Sequence, residues 1–469
     1  MKKVRIAMLL LVLISVTGSL FAGGFALSGI GSRAISMGGA FRGMADDATA
    51  MYWNPAGLGF MTNSSLTIAG AGIYPASTFD FSGNTHGLAA SEIEATKKLW
   101  LFPNLFAVKA GECKLKYGIG VYVPYGLGAE WDAFSLPTTM PVPDSLGVYS
   151  MQPITWGTTG TDGNQHPLIE KESYSSIGIV DIHPTVSYRI MDNLSIGAGL
   201  SVNYGMIGIK SLKPNLSATG AYTYYVPTFM ELEGTGIGYG ANFGIMYKPT
   251  ENMSLGLSGK MPSTIKLSGD LKLRTYINSV VASTMGQANP FVSVFDTEAD
   301  ATLNLPGDIG MGLSFAVLEN WKVNADFTYT MWNVLDKVIV EFKDTYYTSA
   351  ADTIGVSERE MVMNWDNTMR FNLGTEYTMG ANAYRLGYFY DQSPIPDGTL
   401  SPTWPDVNYK MSGNIGYSRV FGPFQFDINY EHIYFTEREV KVQESNFENM
   451  AGVYNTAVNA FNFGLTYNF

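Results

Sequence analysis

Leu194-Ser195-Ile196-Gly197-Ala198-Gly199-Leu200-Ser201-Val202-Asn203-Tyr204-Gly205-Met206 alternates without a break. Leu194, Ile196, Ala198, Leu200, Val202, Tyr204 and Met206 share one face, and Ser195, Gly197, Gly199, Ser201, Asn203 and Gly205 share the other. A period of 2 marks a strand whose two faces meet different surroundings. The C-terminus repeats it, with Phe461, Phe463, Leu465, Tyr467 and Phe469 set against Asn462, Gly464, Thr466 and Asn468. Trp321 to Met331 places Lys322, Asn324, Asp326, Thr328 and Thr330 on a polar face. About fourteen such segments begin near residues 64, 97, 113, 173, 193, 233, 252, 297, 320, 360, 382, 406, 422 and 455.

Soluble sandwiches also alternate, so the connections decide. Met191-Asp192-Asn193, Lys248 to Asn252, Leu318-Glu319-Asn320, Gly380-Ala381 and Gly422-Pro423 are tight, whereas 126–172 and 276–296 are long. Short turns at one end and long loops at the other are the rhythm of an outer-membrane barrel. Unpaired backbone groups are costly in lipid, so such a sheet must close on itself. Trp100, Tyr122, Trp321, Tyr329, Trp332, Tyr384, Tyr388 and Tyr417, near strand ends, suit interfacial aromatic girdles. Lys2, Lys3 and Arg5 precede an apolar run from Ile6 to Val16 and small residues near Ala22, the layout of a secretory leader. No later run reaches the roughly 18 apolar residues of a spanning helix.

The 469-residue chain carries only 15% charged residues, with 51 glycines and 28 tyrosines, which fits Gly/aromatic-rich β architecture. A net charge of -12 argues against a nucleic-acid partner, which requires a basic stripe. Cys113 is the single cysteine and forms no internal disulfide. The division expected is a signal peptide at 1–22, a hatch at 23–63 and a barrel at 64–469. The hatch is Gly/Ala-rich and has no sustained period, so it cannot bury a core alone. Its Phe25, Leu27, Ile30, Phe41 and Trp53 would be insoluble in an exposed tail, and its Arg33, Arg42, Asp46 and Asp47 would be costly in lipid. A partly polar lumen accepts both.

Ala45-Asp46-Asp47-Ala48 followed by Trp53-Asn54-Pro55-Ala56-Gly57-Leu58 resembles the N-terminal hatch of the FadL/TodX family of outer-membrane transporters for hydrophobic compounds. Tyr125-Gly126-Leu127-Gly128-Ala129-Glu130-Trp131 looks like that family's kinked third strand, and Asp391-Gln392-Ser393-Pro394-Ile395-Pro396 like its loop near the penultimate strands. The resemblance implies an all-β, transmembrane antiparallel barrel of about 14 strands with the hatch inside. It also implies passive uptake of long-chain fatty acids or aromatic or aliphatic hydrocarbons across the bacterial outer membrane. Release would be lateral, through a gap at the kink formed by Pro124, Tyr125, Gly126 and Gly128. From the residues alone, Pro124 either bends the strand or ends it. Gly23, Phe25 and Leu27 are expected to reach the ligand pocket. Asn54, Pro55 and Ala56 are expected to anchor the hatch beside the bend, Asn54 pinning backbone groups and Pro55 fixing φ.

Tyr225 and Phe229 in one outer loop, and Ile277, Val280, Val281 and Met285 in another, are apolar where loops are usually polar. They would capture ligand from outside, or pack on each other as a cover. By strand parity His183, Arg189, Lys260, Lys322, Arg370 and Arg385 face the lumen, where one of them could hold a ligand carboxylate. His86 and His166 have no G-x-S-x-G context and no metal-spaced cluster is visible, so no catalytic residue, metal or cofactor is expected. A general aqueous porin or a structural outer-membrane protein is the alternative, and the hatch argues against bulk flow. The expected partners are a hydrophobic ligand, outer-membrane lipid and lipopolysaccharide, and the barrel-assembly machinery, which would recognise the C-terminal Phe469 during biogenesis. The barrel is expected to be monomeric.

Overall fold

The computed structural model describes residues 24–80, 92–132, 139–143, 149–153, 172–219, 222–277, 291–346, 355–404, 406–441 and 451–469. The alternating segments become fourteen staves of one closed antiparallel barrel. They are β1 (Ser65–Asp80), β2 (Trp100–Lys109), β3 (Leu115–Asp132), β4 (Glu172–Met191), β5 (Leu194–Thr219) and β6 (Tyr222–Thr250). Four staves are interrupted midway: β7 (Met253–Lys260, Ser263–Ile277), β8 (Phe291–Leu305, Asp308–Leu318), β9 (Trp321–Thr330, Lys337–Tyr346) and β10 (Val356–Val362, Thr368–Met379). The last are β11 (Asn382–Asp391), β12 (Lys410–Phe421), β13 (Phe424–Phe435, Arg438–Val440) and β14 (Gly452–Asn468). β1 pairs with β14 from Ser65↔Asn468 to Asp80↔Val453, and Ser64 and Phe469 exchange backbone hydrogen bonds of 3.1 and 2.9 Å. That pairing removes the sheet edge. Among the described residues no helix is long and apolar enough to cross a membrane.

Side-chain parity sets the two surfaces. Leu200, Tyr239 and Phe461 are 64%, 72% and 62% exposed on the outside, whereas Ser195, Asn242 and Asn324 are buried in the lumen. An apolar exterior around a polar interior is stable only where the outside solvent is lipid. β5 and β6, with 26 and 29 residues, are roughly 85–95 Å long at ~3.3 Å per residue, so they project well beyond the hydrocarbon.

Two sequence expectations are corrected. Tyr225 and Phe229 lie on β6 rather than in a loop, paired with Leu216 and Leu212 of β5. Pro214 faces Pro227, so the missing donors fall at one level and the hairpin continues past them. Ile277 closes β7 opposite Phe291, while Val280, Val281, Met285 and Gly23 lie outside the described residues. Tyr122 and Trp332 are not girdle residues, since both are 1% exposed. Tyr122 shares the inward parity of Lys116, and Trp332 sits in a 3₁₀ turn (Trp332–Val334) where β9 leaves the sheet and folds inward.

The hatch fills the lumen with short elements: α1 (Ser32–Ile35), α2 (Ala50–Trp53) and a 3₁₀ turn, Pro55–Phe60. Gly38 and Gly39, at φ of +64° and +77°, end the first of these, because few other residues adopt that backbone. Gly38 packs so closely on β11 that a Cβ there would lie 2.5 Å from the Tyr388 carbonyl oxygen. Hatch and wall therefore meet backbone to backbone.

Candidate functional site

Ion pairs clamp the hatch from below. Arg33 reaches Glu376 at 2.9 Å and also bonds Asp46, which Lys322 approaches at 3.5 Å. Arg385 completes this network with Glu376 at 2.6 Å and Asp427 at 3.2 Å. Arg42 bonds Asp308 at 2.7 Å, and Asp326 accepts the Phe41 and Arg42 backbone N–H groups at 2.9 and 2.7 Å. Asn54 is fully buried: its Nδ2 donates to the carbonyls of Arg42 (3.0 Å) and Ile245 (3.2 Å), and its Oδ1 accepts from Ala56 N (3.2 Å). Ser187 Oγ donates to the Ala56 carbonyl at 3.2 Å, and Pro55 packs on Gly197. This anchor thus grips β4, β5 and β6, whereas the sequence reading placed it beside 124–128.

Something else occupies the bend. β3 pairs with β2 only from Tyr117 to Val121, although β2 continues to Trp100 against β1. On its other side β3 stays paired with β4 up to Asp132, with a register shift between Tyr122 and Tyr125 around Pro124. The strand bends rather than ends, and the upper halves of β2 and β3 part to leave a gap in the wall. Hatch residues fill its inner side. Ala26 bridges Tyr125, Leu27 N donates to the Pro124 carbonyl at 3.1 Å, and Gly126 N donates to the Phe25 carbonyl at 3.0 Å. Phe102 and Trp100 lie across the gap against Gly126 and Gly128, where a Cβ would strike their rings.

Segment 24–28 separates two cavities. On one side is an apolar vestibule lined by Ile177, Ile209, Leu232, Leu267, Leu303, Val338 and Met361, with Phe25 at its base. On the other, at the gap, a cavity of about 110 Å³ is lined by Leu27, Ile73, Trp100, Phe102, Gly126, Gly128 and Phe389. Phe25 is held in a box of rings, with Trp332 at 4.9 Å, Tyr125 at 5.6 Å and Trp365 at 5.7 Å between centroids. Parity could not reveal Trp365, which sits in the break of β10, or Trp404, which sits in the connection 392–409. That connection turns into the lumen, where Gln392, Ile395, Leu400 and Asp406 are buried.

The six proposed carboxylate partners do not converge. His183 bonds Asp181, Ser201 and Asn242 at 3.2, 3.0 and 3.0 Å. Lys260 lies 3.6 Å from Asp308 and over the Tyr52 ring, and Lys322 and Arg385 serve the hatch clamp. Arg189, half-buried near the turn after β4, lines none of these cavities. Arg370 donates to the Ser28 carbonyl at 2.7 Å and lies 3.9 Å from Asp391. The cation that lines the cavity at the gap is Lys410, which the sequence reading missed because it begins β12 rather than lying within an alternating run.

Residues 13–141 and 139–469 match the family described as outer membrane protein transport protein (OMPP1/FadL/TodX). The chain belongs to this family. It is similar to the long-chain fatty acid transport protein of Escherichia coli, 25% identical over 403 residues, covering 81% of this chain and 79% of that one. It is also similar to outer membrane protein P1 of Haemophilus influenzae, 21% identical over 466 residues and 88% of each chain. Among solved structures, a Pseudomonas aeruginosa FadL homologue superposes with a TM-score of 0.69 at 17% identity, covering 95% of this chain and 99% of that one. The Pseudomonas putida toluene transporter TodX gives 0.69 at 17%, covering 94% and 98%. This member of the OMPP1/FadL/TodX family is an outer-membrane transport protein and not an enzyme.

Proposed function

We propose that this protein takes up hydrophobic small molecules passively: capture in the apolar vestibule, passage past Phe25, and lateral release between β2 and β3 into the membrane. The observation that carries this reading is the cavity at the gap, whose lumenal side is lined by hatch residues 24 and 26–28 together with Phe389, Asp406 and Lys410. A lipid-soluble ligand gains nothing by entering water, so an exit at bilayer height costs least. Fatty acids, as in the name of the Escherichia coli relative, and monoaromatic hydrocarbons, as in that of TodX, both belong to this class. Uptake into liposomes should need no nucleotide.

The test is to replace Gly126 and Gly128 with Thr and Pro124 with Val, which fills the gap and restores a donor to β3. Binding in the vestibule should persist while uptake falls. Undiminished uptake in an inserted, correctly closed barrel would send release through the periplasmic end.

A further inference from the structure

The cavity at the gap has an apolar body and an acidic end. Asp406, Lys410 and Glu431 all line it. Lys410 Nζ lies 3.2 Å from Asp406 and 3.6 Å from Asp391, and Arg370 lies 3.9 Å from Asp391. Two cations thus already serve two carboxylates, Asp391 and Asp406. Glu431 is 1% exposed, and its Oε2 accepts from Ser28 Oγ at 2.8 Å. Its Oε1 is buried without a hydrogen-bond partner, and so is Asp406 Oδ1. The neighbouring Asn414 amide donates one N–H to Ser412 Oγ at 2.7 Å, and its other N–H makes no bond of normal geometry to Glu431 Oε1. A buried acceptor without a donor is costly, and a ligand that brings an O–H recovers that cost. A ligand carboxylate would instead add a further negative charge beside Asp391, Asp406 and Glu431, where both cations are already engaged.

Resting on the uptake reading above, we propose that this cavity selects uncharged hydrophobic molecules bearing one hydroxyl, phenols and alcohols, over carboxylates and over bare hydrocarbons. The hydroxyl donates to Glu431 Oε1 while the ring or chain lies against Leu27, Phe102 and Val458. A volume near 110 Å³ suits a single small ring. A site built to hydrogen-bond a hydroxyl discriminates against analogues lacking one, because its own polar group is then left unpaired.

The test uses the detergent-purified full chain and three ligands of one shape, p-cresol, 4-methylbenzoate and p-xylene, with binding measured by calorimetry. p-Cresol should bind about tenfold more tightly than either of the others, the equivalent of one good hydrogen bond. Glu431→Leu should erase that advantage and leave p-xylene binding in place, whereas Glu431→Gln, whose amide oxygen still accepts, should keep part of it. Heat-modifiable electrophoretic mobility shows whether each variant is folded, and if Glu431→Leu is not, the ranking in the unaltered protein and in Glu431→Gln decides. Tightest binding by 4-methylbenzoate, or a p-cresol advantage untouched by the Glu431 substitutions, overturns the selectivity while leaving uptake standing. Failure of all three ligands to bind overturns the uptake reading with it.

Discussion

Phe25 lines the base of the vestibule, and its neighbours Gly24 and Ala26 line the cavity at the gap, so on the proposed route its ring is the barrier that a ligand must displace. Phe25→Ala should join the two spaces and raise the uptake rate severalfold, a change read in liposomes loaded with a fluorescent acceptor. An unchanged rate would remove Phe25 from the path. Asp406 belongs to the connection between β11 and β12, outside the spanning strands, and burial pushes its carboxyl up to about 7 despite the opposing Lys410. The folded state therefore holds this proton more tightly than the unfolded chain. The stability it contributes is complete below the ordinary carboxylate range near ~4 and is lost as pH rises through about 7. Asp406→Asn should flatten that part of the profile, so the difference in melting temperature between variant and parent should widen from pH 4 to 8. A constant difference would mean that Asp406 does not titrate there. Glu431 itself was legible, since it shares the lumenal parity of Asp427 and Asn429, but sequence could not show that its second oxygen lacks a donor.

The hatch is held by ion pairs and by hydrogen bonds in which side chains meet backbone groups. Asn54→Ala removes three hydrogen bonds and leaves buried carbonyls unmet, at about 1–3 kcal/mol for each unsatisfied group. The loosened hatch should expose Arg33 and Arg42, whose side chains are now only 14% and 7% exposed, to trypsin while the barrel stays folded; resistance equal to that of the parent would show that Asn54 is dispensable as an anchor. The staves themselves were readable from period 2, because every barrel residue must satisfy lipid or lumen in turn. Their interruptions were not. Met261-Pro262, Pro306-Gly307 and the turn at Trp332–Val334 interrupt neighbouring staves, and Trp332 looked like a girdle residue because an aromatic at a strand end satisfies either environment. The anchor was misplaced for a related reason: Asn54-Pro55-Ala56 predicts a fixed local shape, but its position depends on Gly197 and Gly244, which face each other on adjacent β5 and β6 yet lie far from the hatch in sequence.

At the scale of the whole molecule, the barrel predicts opposite fates for neighbouring residues. A cysteine at Ile196 should label from lipid and one at Ser195 should resist reagents from either side, since Ile196 is 43% exposed on the outer face and Ser195 is fully buried in the lumen against hatch residue Gly59. Equal labelling of both by a water-soluble reagent in inserted protein would contradict the two-surface assignment. The central claim is that ligand passes the hatch at the bend of β3, and the Ala26↔Tyr125 bridge offers a reversible lock there. The bonds Leu27 N to Pro124 O and Gly126 N to Phe25 O flank this pair, so its Cα atoms are close to ~4.5 Å apart, within disulfide reach. The deciding measurement is uptake by Ala26→Cys/Tyr125→Cys protein, with the exposed Cys113 changed to Ser, before and after reduction. The account predicts ligand binding in both states but uptake only in the reduced one; equal uptake with the disulfide fully formed would contradict it.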